Sequence, residues 1–393
     1  MTVEAARQDE FGFGEKAERN FIGGKWKFTR EGYEFDIYDP SDCSIIASIP
    51  LSTHRDIREA ITAAQAALPL WTAVPPAERA AITCNALDYL EASIDLVASI
   101  TSRDTGIPLR YAKEDILTVI SEVREKLNGD ISKYDNRAPG IIGQILSWSN
   151  PLVVSLRMLA VDLAHGNVAI VHPSIRAPLS VVCFADALSR AGAVGGVFNL
   201  IQGAGTDAGM ALACRPELRR LDFQGSRQTV QMVALSPSRN GVPIQTLLRS
   251  IKTVNLPKTS DLAVAAHGIA EDCFCHAARA GFGGLQVCVP IEGLGLLAEQ
   301  LQAKFRKVRY LDATRGAHSV APYPAEKFRI AGEAAVEKYL EGGAQLLCEA
   351  PAPNERTFRM GWFARPRLLH DVSGAITLDP DMPNGPLVLL KSY

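Results

Sequence analysis

Little in this 393-residue sequence is extreme, and the absences narrow its function. Charge of one sign is missing: 41 basic side chains stand against 43 acidic ones, a net charge of −2. No cationic excess exists to hold a phosphate backbone, so nucleic acid is not an expected partner. A clean apolar run is missing too. The longest stretch, from Pro151 to Val171, is interrupted by Arg157, Asp162 and His165. That falls short of the ~20 apolar residues a membrane span requires, so no membrane association is expected. The N-terminus carries Glu4, Asp9 and Glu10, where an export signal would carry cations and then an apolar run. Cysteine is sparse at eight residues. Without an export signal these read as reduced thiols, and the expected location is the cytoplasm. Repeats and low-complexity tracts are absent. With 47% hydrophobic and 21% charged residues, the chain has the balance of a folded protein of two or three lobes.

Residues 1–20 read as a polar leader. A strand-and-turn segment follows, with "FIGGKW" and "YEFDIYDPSDCSIIASIP", whose Gly-Gly and Asp-Pro pairs mark turns. Thr53 can cap a helix over "HRDIREAITAAQAAL", in which Ile57, Ile61 and Leu68 share a face. Pro75-Pro76 ends it, and two more amphipathic helices are expected up to Asn128. From Gly140 short β-branched runs alternate with helices. "GIIGQIL", "NVAIVH", "VFNLIQ", "RRLDF" and "IKTVNL" read as strands, separated by helices from Pro151, Ala177 and Thr206 and after Gly225. Such alternation predicts a parallel sheet with right-handed crossovers, a doubly wound nucleotide-binding lobe over residues 1–256. A second α/β series fills 257–393, with strands at "LQVCV", "VRYLD", "AQLLCEA" and the terminal "PLVLLKSY". Its helices are expected at Leu262–Ala280, Leu294–Lys307 and Ala325–Leu340. A last strand with nothing after it predicts an exposed apolar edge that self-associates or needs a partner subunit.

Ligands of such sheets sit beyond the carboxyl ends of the strands. Those ends carry Trp148, Ser149 and Asn150 before Pro151, "AIVHPS", "IQGAGTDAG" and "FQGS". Glycine lets backbone approach a ligand closely, and helix N-termini offer free N–H groups to a pyrophosphate. Cys288 in "GGLQVCVP" reads on its own residues either as a small buried hydrophobe or as a reactive thiol. Cys273 and Cys275, near His276, lie two apart on a helix and face nearly opposite ways, so no metal site is expected. His172 follows an apolar strand, where the plain role is a hydrogen-bonded terminus.

Taken in order, these segments resemble the aldehyde dehydrogenase superfamily over about residues 20–390. "GIIGQILSWSNP" resembles its G-x-x-G-x-I-x-P-W-N-x-P segment, and "LAHGNVAIVHPSIRAP" its A-x-G-N-x-V-x-K-P segment. "GVFNLIQGAGTDAG" resembles the cofactor-binding stretch, "LDFQGS" the F-T-G-S motif, and "TVNLPK" the general-base segment. "FGGLQVC" resembles F-x-x-G-Q-x-C, whose cysteine is the nucleophile. The resemblance implies a Rossmann-type nucleotide-binding lobe and a second α/β catalytic lobe. It also implies oxidation of a small aldehyde through a covalent adduct on Cys288, with NAD or NADP as hydride acceptor. The cofactor would lie along Ile145, Trp148, His172, Ser174, Gly205, Gly209, Phe223, Gly225 and Ser226.

Several positions depart from the family pattern. The oxyanion asparagine is Ser149, with Asn150 one place later; the general-base glutamate is Asn255; and a second glutamate is Met382 in "DMPNGP". His172 replaces the lysine that grips the adenosine ribose, and Ile175 stands where an acidic ribose partner is common, so NAD(P) is expected to bind weakly. Full-length relatives continue for close to a small domain's worth of chain, so the catalytic lobe is expected to be incomplete at the C-terminus. Two functions compete. One is an aldehyde dehydrogenase, acyl-transferring because Asn255 cannot activate water, as in members that form acyl-CoA. The other is a non-catalytic protein of that fold, acting as a homo-oligomer or partner subunit.

Overall fold

The computed structural model describes residues 13–29, 31–129, 139–275, 282–310, 320–353 and 360–393. The chain divides into two compact units. The first comprises residues up to Tyr38, Ile45–Asp104 and Tyr111–Leu247; the second comprises Asp39–Ser44, Thr105–Arg110 and Leu248–Tyr393.

The described residues open with a short helix, Phe13–Ala17, inside the segment read as a polar leader; then come β1 (Asn20–Ile22) and β2 (Lys25–Lys27), a hairpin, and the antiparallel pair β3 (Glu34–Tyr38) and β4 (Ile45–Pro50). Helix α1 (His54–Ala73) starts where the sequence places it. The Thr53 hydroxyl accepts from the Arg55 amide at 3.3 Å and the Asp56 carboxylate accepts from the Thr53 amide at 2.8 Å, a reciprocal cap. Three helices, not two, run to Asn128: α2 (Pro76–Ala92), α3 (Ile94–Thr105) and α4 (Leu109–Asn128). The extra break follows α3, where Gly106 takes φ +80° and Pro108 removes a donor. The alternating series is β5 (Ile141–Ile145), α5 (Pro151–Ala164), β6 (Val168–His172), α6 (Leu179–Arg190), β7 (Phe198–Leu200), a short helical segment made of the π turn Gly205–Gly209 and the α turn Met210–Ala213, β8 (Leu218–Gly225), α7 (Arg227–Arg239) and β9 (Ile244–Leu248).

These strands form one sheet ordered β2-β1-β7-β6-β5-β8-β9, with β7, β6, β5 and β8 parallel. The order reverses between β5 and β8, the switch point of a doubly wound sheet. β5 and β6 are buried along their whole length, in keeping with their largely apolar sequence, in which only Gln144 and His172 are polar. Arg220 on β8 ties the sheet to α5, donating to Asp222 at 2.7 Å and to Asp162 at 2.5 Å.

The second unit holds β10 (Ser250–Asn255), α8 (Leu262–Cys275), β11 (Phe282–Val289), α9 (Ile291–Phe305), α10 (Glu326–Glu341), β12 (Gln345–Glu349), β13 (Arg367–Asp371) and β14 (Leu387–Ser392). Its sheet is ordered β10-β11-β14-β13-β12, parallel except for β12. The units divide after Leu247, ahead of the 256/257 boundary expected from sequence, because β10 pairs with β11. Side chains alternate between the sheet's two faces. Val254, Val287, Val388, Leu390 and Leu368 pack with α8 and α9, whereas Leu387, Leu389 and Leu369 pack with Ala335, Val336 and Tyr339 of α10.

Two expectations are corrected here. The terminal strand is no exposed edge: β14 is the middle of the five strands, bonded to β11 and to β13, with Leu387–Leu390 buried. The neighbour that covers it, β13, went unread in the sequence. "VRYLD" gives no strand over 308–310, and 311–312 lie outside the described residues. Cys273 and Cys275 are both buried on α8, while His276 lies outside the described residues. Among the described residues no trio of metal-ligating side chains converges, and no helix is long and apolar enough to cross a membrane.

Candidate active site

In the first unit the polar residues at the strand ends are bonded into the scaffold. Beyond β5, Ser147 donates its amide to Gln224 Oε1 at 3.2 Å. The Gln224 amide group donates to the Ser149 carbonyl at 2.9 Å, so this glutamine ties the ends of β5 and β8 together. Ser149 sits 3.1 Å from the Ser147 hydroxyl and is itself buried. Asn150, the residue before α5, takes the left-handed conformation at φ +51° and is 2% exposed. Its side-chain amide donates to Asp115 at 3.0 Å, and its Oδ1 is buried without a partner. Ile145, Trp148 and Phe223 are buried as well.

His172 ends β6 with its ring turned inward. Nδ1 lies 2.9 Å from the Ile201 carbonyl, and a Cβ at Gly209 would lie 3.2 Å from Nε2, so glycine is what makes room for the ring. Burial pushes the imidazole down to about 4, against the Ile201 bond, and it is neutral at physiological pH. Gly225 has a similar steric reason, since a Cβ there would strike the Phe223 ring at 2.7 Å. Ser174, Gly205 and Ser226 remain at the surface of the strand ends. Ser174 accepts from the Arg176 amide at 3.2 Å and Ser226 from the Thr229 amide at 3.2 Å, while Gly205 opens a single π-helical turn, Gly205–Gly209.

The second unit presents a different arrangement. The register aligns Asn255 with Cys288, Cys288 with Lys391, and Lys391 with Asp371 across four neighbouring parallel strands. In-register residues of parallel strands share a face, so these four form one polar row at the carboxyl ends of the strands. The row lies on the α10 side, beyond the apolar Leu387, Leu389 and Leu369. Asn255 is exposed, Cys288 half-buried and Asp371 sealed. Gln286, two residues before Cys288, donates weakly to its Sγ at 3.8 Å. Lys391 Nζ donates to Asp371 Oδ2 at 3.2 Å and to the Gly374 carbonyl at 3.3 Å. Burial works against the Asp371 carboxylate, but the Ser373 hydroxyl, the Ile376 amide and the Lys391 ammonium hold it below the usual carboxylate range.

The structure therefore gathers Asn255 and Cys288, two of the residues singled out in the sequence. It also groups Ser149, Trp148, Phe223 and Gly225 around the β5 and β8 ends. Gln224, Asp115, Lys391 and Asp371 were not singled out. Gln224 had a signal, occupying the threonine place of "FQGS"; the others depend on pairings distant in sequence.

The model of the aldehyde dehydrogenase family matches residues 26–393. The chain belongs to the aldehyde dehydrogenase family. Malonate-semialdehyde dehydrogenase 1 of Shouchella clausii (strain KSM-K16) is 26% identical over 379 residues, 92% of this chain and 76% of that protein. Alpha-ketoglutaric semialdehyde dehydrogenase of Bacillus subtilis (strain 168) is 22% identical over 387 residues, 94% of this chain and 79% of that protein. A mutant of aldehyde dehydrogenase C from Pseudomonas syringae, solved with NAD+ and octanal, has the same fold. It superposes with a TM-score of 0.86 at 20% identity, over 96% of this chain and 80% of that one. Within this family frame Asn255, beside the thiol, carries an amide, which can donate and accept hydrogen bonds but cannot take a proton from water.

Proposed function

We propose that this protein oxidises an aldehyde with NAD(P), through a covalent adduct on Cys288, and passes the acyl group to a thiol rather than to water. One observation carries the reading: Asn255 and Cys288 are paired in register at the carboxyl ends of two adjacent parallel strands, with Asn255 exposed and Cys288 half-buried. The first unit is assigned to the nucleotide and the second to the thiol chemistry. Cys288 Sγ, as thiolate, bonds to the aldehyde carbon and the carbonyl oxygen takes up charge. When bound, NAD(P) supplies the acceptor for the hydride that leaves that carbon, and a thioester on Cys288 remains. An attacking thiolate then takes the acyl group and Cys288 leaves as thiolate. Asn255 holds the acyl group or its acceptor by hydrogen bonds and removes no proton, so the thioester outlives what a glutamate would permit.

The strand ends suit a nucleotide through backbone and hydroxyl groups, at Ser174, Gly205 and Ser226, rather than through charge. His172 is sealed against Ile201, and Ile175 packs with Ile37 and Leu179. Losing two charge-assisted bonds of roughly 1.5–3 kcal/mol each sets NAD(P) binding on the order of a hundredfold weaker than with the charged pair. The closed Gln224 bridge and the sealed His172 favour a second reading, a non-catalytic member of the family. Intact-mass spectrometry after a pulse of p-nitrophenyl acetate separates the two. A persistent acyl adduct on Cys288 supports the enzyme; an unmodified Cys288 while other thiols react supports the non-catalytic reading.

A further inference from the structure

We infer that Lys391 selects the substrate, its ammonium anchoring a carboxylate on the tail of the aldehyde presented to Cys288. The substrate class is then a short oxo acid with its aldehyde at one end and its carboxylate at the other. The inference rests on the reading of Cys288 as nucleophile.

Three observations carry it. Cys288 and Lys391 are register partners on adjacent parallel strands, so their side chains rise from one face of the sheet. Adjacent strands lie about 4.8 Å apart, and with the reach of a lysine stem this spans an acyl chain of about three to five carbons. Next, an ammonium has three N–H donors, and the structure engages two, with Asp371 and with the Gly374 carbonyl. Finally, the ion pair is lopsided. The Asp371 side chain is 0% exposed and its oxygens already accept from Ser373 and Ile376, whereas the Lys391 side chain is 18% exposed. The carboxylate therefore serves as an anchor that fixes the ammonium, and the ammonium is the end open to a ligand. Asn255, the register partner of Cys288 on β10, and Gln286, which donates to its Sγ, are neutral amides. Lys391 is thus the one charge in the row that a substrate tail can meet.

Alkylation of the full-length protein tests this without cofactor or turnover. Iodoacetate and iodoacetamide attack the same thiol and differ in charge, and mass spectrometry of the Cys288 peptide gives each rate. The iodoacetate-to-iodoacetamide ratio should fall about five- to tenfold in Lys391→Met and hold in Lys391→Arg, the size of one charge interaction in a part-solvated site. Because Lys391→Met leaves Asp371 buried without its cation, the double variant Lys391→Met/Asp371→Asn repeats the measurement with no stranded charge and should show the same fall. An unchanged ratio in both variants overturns the inference and leaves the nucleophile reading standing. A wild-type Cys288 inert to both reagents overturns the nucleophile reading itself, and the inference with it.

Discussion

Beyond β5 and β8, Ser147, Ser149 and Gln224 bond to one another, and Asn150 bonds to Asp115. Beyond β10 and β11, Asn255 is exposed and the Cys288 sulfur has a single weak donor at 3.8 Å. Both places are carboxyl ends of parallel strands, and both carry small polar residues. In the first unit those residues are bonded into the scaffold, with Asn150 Oδ1 the one buried oxygen among them that has no partner. In the second they stay available to an incoming molecule. Mutations should therefore divide cleanly: substitutions at the first place change stability, and substitutions at the second change chemistry.

The sharpest way to break that division is Cys288→Ser. Acyl-adduct formation should drop by about ten-thousandfold or more, because a hydroxyl lacking a base is a far weaker nucleophile than a thiolate. Stability should stay within about 0.5–1 kcal/mol of the parent, since the side chain is half-buried and the change nearly isosteric. Burst amplitude with p-nitrophenyl acetate, set beside a denaturant melt, reads both. A large loss of stability would mean that Cys288 is a packing residue like Cys273.

Asn255→Glu sharpens the comparison from the other side. A carboxylate at the exposed register partner of Cys288 can take a proton from water, and the thioester lifetime should shorten by several hundredfold. Pro257, two residues on, limits how far the backbone can adjust. The decay of the acyl mass after a pulse measures the effect, and an unchanged lifetime would place residue 255 outside water's approach to the thioester.

Much of this contrast was beyond reach of the sequence, for a physical reason. Local signals sufficed where structure is local. The Thr53 cap, the Pro75-Pro76 break and the buried runs of β5 and β6 all stand in the structure as read. β9 went unread because its exposure is that of an edge strand, with three of its five residues in solvent and no apolar alternation. β13 went unread because "RLLHD" is short and bounded by a proline-rich approach. The terminal strand was misplaced at an edge because strand order is a property of distant pairings. The row from Asn255 to Asp371 joins residues more than a hundred positions apart through register alone, and no motif spells it out.

In the first unit, Gln224→Ala should cost about 3–4 kcal/mol. It strands the Ser147 amide and the Ser149 carbonyl, each at roughly 1–3 kcal/mol, and leaves a small void. Cys288 alkylation should continue at a similar rate once the variant is folded. Chemical denaturation checks the first statement and peptide mass spectrometry the second. A Gln224→Ala protein of parental stability would show that the β5–β8 bridge is not what holds these loops.

The smallest effect is confined to a pH window and belongs to His172. In the folded chain burial pushes its imidazole down to about 4, whereas an unfolded chain protonates it near the ordinary value of 6.5. Between those values the unfolded state binds the extra proton, so stability falls as pH drops from about 6.5 to about 4 and this group adds no further loss below that. The gap corresponds to about 3 kcal/mol in all, reached gradually. His172→Gln cannot titrate and retains a donor for the Ile201 carbonyl. Its stability relative to the parent should improve by about that amount on going from pH 7 to pH 4, with urea melts at each pH as the measurement. Parallel pH profiles for the two proteins would mean that the ring meets solvent and takes its proton in the folded state. His172 would then be open to a ligand, and the contrast between the two strand ends would lose its clearest member.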